Sequence, residues 1–310
     1  MILPTYKILE KEYAKFTGSK YACACNSGTS ALHLAFMAIN LKPKDEVILC
    51  DFAMASCAFA ISYCGAKPVF VDCGDDLNID TKLIVGKITS KTKAILAVHT
   101  YGRLCNMEDI LKIAKIHHLK VIEDACEAQG AVYKSKADIT CYSFYENKII
   151  HAEEGGICTT DNKKYAERIN YLKNMCFSPE HDYFHKEIGY NYRMPNSQAK
   201  LALESLHKYP TENLLRRDKE KSYNQIIGDK FHSKEFKKMP KRDAVWVYDF
   251  LGPSTMSSSC RPFFKPLSTF PMYNSNCQSP KALYYSERGH YIKIDTEVSW
   301  ILKDIILKKK

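Results

Sequence analysis

No apolar run in this 310-residue chain is long enough to cross a bilayer. The longest nearly uncharged stretch, Phe52 to Ala66, is too short and carries Ser56, Ser62 and Tyr63, so it reads as a buried helix. Met1-Ile2-Leu3-Pro4 does not open a basic and then apolar leader, so no secretory signal, no membrane partner and a cytoplasmic location are expected. No repeat or low-complexity tract interrupts the chain. Metal-ligand spacings are missing too. The thirteen cysteines are scattered, and the one close pair, Cys23-Ala24-Cys25, suits neither a zinc knuckle nor a redox CxxC. Several, such as Cys50, Cys64 and Cys141, sit inside apolar segments and read as reduced, buried, small hydrophobes. Neither a P-loop nor GxGxxG occurs, which excludes nucleotide binding of those kinds. The net charge of +10 forms no basic stripe interleaved with aromatics, and part of it lies in Lys308-Lys309-Lys310, so no nucleic-acid partner is expected.

What is present is a rhythm. From Tyr6 to about His207, short runs rich in Val and Ile alternate with helical patterns. The strand candidates are Tyr21–Cys25, Glu46–Cys50, Pro68–Asp72, Ala94–His99, Lys120–Glu123, Ile139–Ser143 and Gly156–Thr159. Helices are expected at Ser30–Ile39, at Asn106–His117 with Asn106 as N-cap, and at Lys163–Asn174 after Asp161. Such alternation implies right-handed crossovers and a mainly parallel sheet, the α/β class. After Lys208-Tyr209-Pro210 the pattern changes to a charged helix (Thr211 to Ile226), a strand-like Val245–Phe250, a Ser-rich loop, Pro-rich Arg261–Pro271 and a last helix around Val298–Leu307. The reading is a large domain over residues 1–208 and a smaller α+β domain over 209–310.

Three segments carry candidate chemistry. Asn26-Ser27-Gly28-Thr29-Ser30 follows a strand and opens a helix, where free N–H groups and the helix dipole suit a phosphate; the same residues also make an ordinary N-cap. Val121-Ile122-Glu123-Asp124-Ala125 places two carboxylates at the end of a buried strand, as a helix cap or as an acid that pairs with a protonated ring nitrogen. Lys148 lies just beyond Ile139–Ser143. Alone it is a strand-end surface lysine; beside a phosphate turn and a strand-end acid it is a Schiff-base candidate.

This order of phosphate turn, Asp and Lys resembles the fold-type-I pyridoxal-phosphate enzymes. More closely, the chain resembles the DegT/DnrJ/EryC1/StrS family of nucleotide-sugar aminotransferases, through NSGTSALHLAF (26–36), GAKPVFVD (65–72), NID (78–80), TKAILAVHTYG (92–102), KVIEDACEAQGA (120–131), SFYENKIIHAEEGG (143–156), YNYRMPNSQA (190–199) and RPFFKPL (261–267). The resemblance implies a fold-type-I transferase with pyridoxal 5'-phosphate bound to Lys148. Gly28, Thr29, Ser30 and Ser143 would hold the phosphate, and Asp124 the ring nitrogen. Met54 would pack on the ring, although a core role fits Met equally, and Glu127 would lie beside the cofactor. Asn191 would reach the phosphate of a partner subunit, implying a homodimer with shared active sites. His99 and Tyr101 would line the crevice. Arg193 and Arg261 would bind anionic groups of the donor or of the sugar nucleotide, with structural ion pairing as the alternative. The implied reaction moves an amino group from glutamate to a nucleoside-diphosphate 4-keto-6-deoxy sugar, as in perosamine- and viosamine-type enzymes.

The chain departs from the family pattern in length. Relatives extend further before the helix near Tyr6, Tyr133–Ala137 is short, Gly252–Cys260 replaces a helix, and family GEGG reads Glu153-Glu154-Gly155-Gly156. None of these changes removes a cofactor residue. Two readings remain: an active aminotransferase with a compact pocket, or a trimmed paralogue that binds the cofactor or a partner without turnover. A sugar dehydratase of the same family would carry histidine in place of Lys148.

Overall fold

Seven short runs of Val, Ile, Ala and Cys, buried on both faces, build the main sheet. The computed structural model describes residues 3–178, 180, 183–228, 237–252, 260–273 and 275–294. The strands are β1 (Tyr21–Cys25), β2 (Glu46–Cys50), β3 (Lys67–Val71), β4 (Thr92–Val98), β5 (Lys120–Asp124), β6 (Ile139–Ser143) and β7 (Gly156–Thr160), in the order β1-β7-β6-β5-β4-β2-β3. Strands β2 to β6 pair in parallel, and β7 runs antiparallel to both of its neighbours, so β1 points with the majority. Alternate side chains feed two cores: Val47 and Leu49 face one, Ile48 and Cys50 the other.

Helices cover both faces: α1 (Thr5–Thr17), α2 (Gly28–Ala38), α3 (Ala55–Tyr63), α4 (Thr81–Ile84), α5 (Met107–Ile116), α6 (Lys163–Leu172) and α7 (Asn196–Gly228). Leu32 and Leu34 of α2, Ile61 of α3 and Ile169 of α6 share one core. Leu9 of α1 and Ala202 of α7 pack with Tyr142 and Ile157 on the other side. Asn106 caps α5, its Oδ1 accepting from Asp109 N. The cap of α6 is Asn162 rather than Asp161, whose carboxylate accepts from Lys20 N instead.

The helix expected from Thr211 is the second half of α7, which starts at Asn196 and runs through Pro210. Proline inside a helix removes a hydrogen bond and costs about 3 kcal/mol. Packing offsets this: Ala199, Ala202 and Leu206 are buried, and Tyr209 meets Phe16 edge-on at 5.0 Å. The proposed division at residue 208 therefore falls inside α7, which serves both parts.

Beyond it, β8 (Lys237–Lys238), β9 (Val247–Leu251), β10 (Arg261–Pro262) and β11 (Gly289–Lys293) form an antiparallel sheet ordered β10-β11-β9-β8, joined by α8 (Pro280–Arg288). The helix expected near Val298–Leu307 and residues 253–259 of the Ser-rich loop lie outside the described residues.

Buried carboxylates sew the two sheets together. Asp249 of β9, fully buried, is gripped by Arg103 at 2.8 Å and by Arg242. Asp72 accepts from Lys281 N and Ala282 N, capping α8. Asp51 accepts from Ser268 N at 2.7 Å and from Ser268 Oγ at 2.6 Å. Apart from the local Arg242 contact, these bonds join distant parts of the chain, and together they set the small sheet against one edge of the large one.

Candidate active site

Because β1, β2, β4, β5 and β6 run the same way, the segments that follow them emerge at one edge, where open α/β sheets hold their ligands. Those segments line a cleft of about 360 Å³. The large sheet contributes Gly28, Thr29, Met54, Asp124, Glu127, Ser143 and Lys148; the small sheet closes it with Trp246, Arg261, Phe264 and Tyr291.

One end of the cleft is the start of α2. Ser27 caps the helix: its Oγ accepts from Ser30 N at 3.0 Å and its carbonyl accepts from Ala31 N. The N–H groups of Gly28 and Thr29 are left at the positive end of the helix dipole, an arrangement suited to an anion. A Cβ on Gly28 would lie 2.7 Å from Ser143 Cβ, so only glycine lets this turn meet the end of β6 and bring the Ser143 hydroxyl beside those N–H groups. Ser30 serves the cap, its Oγ 2.9 Å from Ser27 Oγ, and it is Ser27 that joins Gly28 and Thr29 in the wall.

Asp124 ends β5 with both oxygens engaged. Oδ1 accepts from Cys126 N at 3.0 Å, and Oδ2 accepts from the Cys57 thiol at 3.2 Å. Glu127, a turn later, is buried, and its Oε2 accepts from Tyr101 N at 2.8 Å. Burial pushes this carboxyl up to about 7, aided by Asp124 and Asp249, while Lys148 and the Tyr101 N–H pull it back.

Lys148 sits on the irregular segment between β6 and β7. Gln129 clamps this segment with its whole amide: Nε2 donates to Ser143 O and Ile150 O, both at 2.9 Å, and Oε1 accepts from Ile150 N at 2.7 Å. Trp246 holds the middle, its Nε1–H donating to Asn147 O at 2.8 Å and its ring centroid lying 3.9 Å from Lys148 Nζ.

Not every expected residue reaches the cleft. His99 is buried on the far face of the sheet, where Nδ1 accepts from Cys105 N at 3.1 Å and Nε2 faces Glu123 at 3.5 Å. Side chains alternate along a strand, so Val98 and Asp124, paired in register, face the cleft while His99 and Glu123 face away. That period was available to sequence reasoning. Tyr101 lies behind the wall, buried and stacked on Phe264 at 4.9 Å, with a left-handed backbone at φ 50°. Met54, half exposed, lies in the wall and not in the core. Asn191 and Arg193 line a separate cavity of about 870 Å³ with Lys7, Asn26 and Lys173, where Arg193 donates to Asn174 Oδ1 at 2.9 Å. Sequence reasoning missed Gln129 and Trp246.

The residues present fit pyridoxal phosphate. An anion site, a fixed carboxylate for a ring nitrogen and a primary amine share one cleft, and Asn147 Oδ1, buried at its wall, has no protein partner among the described residues. Those residues include no group of three or more His, Cys, Asp or Glu that could hold a metal ion, no helix long and apolar enough to cross a membrane, and thirteen free cysteines.

Comparison with known proteins agrees with this chemistry. The DegT/DnrJ/EryC1/StrS aminotransferase family matches residues 3–291. GDP-perosamine synthase of Caulobacter vibrioides is 36% identical over 288 residues, 85% of this chain and 77% of that protein. UDP-2-acetamido-2-deoxy-3-oxo-D-glucuronate aminotransferase of Pseudomonas aeruginosa is 34% identical over 220 residues, 69% of this chain and 61% of that one. The structure of S. venezuelae DesV in complex with a ketimine intermediate superposes with a TM-score of 0.88 at 25% identity, covering 100% of this chain and 89% of that chain. The chain belongs to the DegT/DnrJ/EryC1/StrS aminotransferase family and is a pyridoxal-phosphate-dependent sugar aminotransferase.

Proposed function

We propose that this enzyme moves an amino group from glutamate to a nucleoside-diphosphate 4-keto-6-deoxy sugar, giving a 4-amino-4,6-dideoxy sugar nucleotide. The observation that carries the reading is the convergence of Lys148, Asp124 and the α2 N-terminus in one cleft. That cleft adjoins a second cavity of about 360 Å³, which shares Lys148, Trp246, Arg261 and Tyr291 and adds His151, Arg216 and Lys293. Glu146 and Glu212 also line it, the latter paired with Arg216; Arg261, His151 and Lys293 suit a diphosphate, and the continuity with Lys148 suits a sugar carried on one. The name of the Caulobacter relative favours a 4-amino product.

When bound, pyridoxal phosphate supplies an electron sink for the carbon that loses or gains the amine. The chain supplies the rest. The N–H groups of Gly28 and Thr29 and the Ser143 hydroxyl bind the phosphate, and the Asp124 carboxylate keeps the ring nitrogen protonated. Lys148 Nζ would hold the cofactor at rest and, once released, would move a proton between the substrate carbon that bears the amine and C4' of the cofactor. Glu127 lines the cleft beside it, its Oε2 held by the Tyr101 N–H. Arg261 offers a planar cation to a substrate carboxylate or phosphate. Asn191 is exposed and away from the cleft of its own chain, which supports a homodimer in which it serves the partner's phosphate.

The test supplies the loaded enzyme with glutamate and a nucleoside-diphosphate 4-keto-6-deoxyhexose. The expected result is 2-oxoglutarate and an amino-sugar nucleotide by mass spectrometry, both lost in Lys148→Ala. Amination of a 3-keto sugar nucleotide alone would move the regiochemistry to that of the Pseudomonas relative. Cofactor binding without conversion of any donor would leave the non-turnover reading.

A further inference from the structure

We propose that Trp246 is a positioning residue for Lys148: the indole ring holds the free ε-ammonium, and the indole N–H holds the backbone that carries it. Two contacts on adjacent residues point there. Lys148 Nζ lies 3.9 Å from the ring centroid, well inside the roughly 6 Å reach of a cation–π contact. The Trp246 Nε1–H donates to Asn147 O at 2.8 Å. The ring cannot swing aside, because it is 5% exposed and wedged between Tyr101, stacked at 5.9 Å, and Tyr291 at 6.2 Å. Tyr101 is in turn fixed through its N–H to Glu127.

The lysine belongs to the large sheet and the ring to the segment that enters β9 of the small one. The resting place of the amine is therefore set by how the two parts dock, and the Arg103–Asp249 pair secures that docking. Charged and titratable groups that line the cleft with the amine are Asp124, Cys126, Glu127, Tyr145, Glu154, Arg261 and Tyr291, and the adjoining cavity adds Glu146, His151, Glu212, Arg216 and Lys293. Glu127 and Asp124 attract the ammonium toward the ring-nitrogen end of the cleft, and Trp246 offers it a site without a counter-charge. An amine stored on a ring face is released without breaking an ion pair, which suits a group that must leave and return in each half-reaction.

The inference rests on the role proposed for Lys148, but the ring contact is measurable without any substrate. In a Trp300→Phe background, which leaves one tryptophan, the full chain is made with mono-, di- and trifluorotryptophan. Fluorine drains the ring face of negative charge while keeping its shape and its N–H. Acylation of Lys148 by an amine-reactive ester, quantified by peptide mass spectrometry on cofactor-free chain, is expected to speed up with each fluorine, about three- to tenfold over the series. Loading with pyridoxal phosphate is expected to abolish it in all forms. A Lys148 rate independent of fluorine, or a rise matched at exposed Lys200, would overturn the proposal. Trp246→Phe and Trp246→Leu both lose the N–H, and Lys148 is expected to be acylated more slowly in Trp246→Phe, which keeps a ring face, than in Trp246→Leu; equal rates in the two variants would also overturn it. Failure of Lys148→Ala to lose the visible band of the bound cofactor would instead sink the role of the lysine.

Discussion

Cys57 Sγ lies 3.2 Å from Asp124 Oδ2, so a buried thiol donates to one oxygen of the strand-end carboxylate. Burial and the neighbouring Asp124 charge both push this thiol well above its ordinary range, so it stays a donor. Cys57→Ser keeps a donor and is expected to bind pyridoxal phosphate within about twofold of wild type. Cys57→Ala removes a hydrogen bond to a charged group and is expected to weaken binding about tenfold. Titration followed by visible absorbance reads both.

Glu127 gives stability an unusual pH dependence. Its carboxyl is raised to about 7 in the fold, above the value of an unfolded glutamate. The folded chain therefore binds the extra proton between those two values, so the contribution of this group falls as pH rises from about 4.5 to 7 and is level above. Glu127→Gln is expected to remove that slope. Its stability gain over wild type grows across the same window to something on the order of 3 kcal/mol. Urea denaturation of cofactor-free chain at pH 5 and pH 8 measures it; a gain equal at both values contradicts the raised carboxyl.

Gln129 bridges the two ends of the lysine segment with three hydrogen bonds. Gln129→Leu keeps the volume but strands Ser143 O, Ile150 O and Ile150 N in a buried place. The expected cost is about 2–4 kcal/mol in thermal or urea unfolding. Cofactor capture should slow by more than stability explains, because Lys148 lies between the two clamped points.

Asp249 pairs with two buried guanidinium groups, Arg103 and Arg242, and Arg242 also pairs with Glu220. Burial alone would raise its carboxyl, but Arg242 and Arg103 beside it hold it below the usual carboxylate range. Asp249→Asn leaves Arg103 without a carboxylate and Arg242 with Glu220 alone, and is expected to destabilise the protein by about 3–5 kcal/mol. Since the pair joins the sheets, the fluorescence of Trp246 should change at lower denaturant than the main far-ultraviolet transition.

The strands were legible because a run buried on both faces must be apolar along its whole length; β1, β2 and β6 lie where Tyr21–Cys25, Glu46–Cys50 and Ile139–Ser143 place them. The meeting of the Gly28–Thr29 turn, Asp124 and Lys148 in one cleft was legible for a related reason: each stands at or just past the end of a strand, and parallel strands bring their ends to one edge of the sheet. His99 was misplaced although the period of two along β4 and β5 sends it, with Glu123, to the opposite face.

The sequence by itself thus determined the class of fold, the order of strand-end residues and the family, all of which depend on patterns a few residues long or on motifs spread along residues 3–291. Tertiary structure decided the rest. Pro210 stays inside α7 because packing outweighs a local penalty. Gln129 reaches Ile150 across the lysine segment, while Arg103 reaches Asp249 and Trp246 reaches Lys148 from distant parts of the chain. Such contacts form only when two elements dock, and no local propensity encodes which distant side chain will face which.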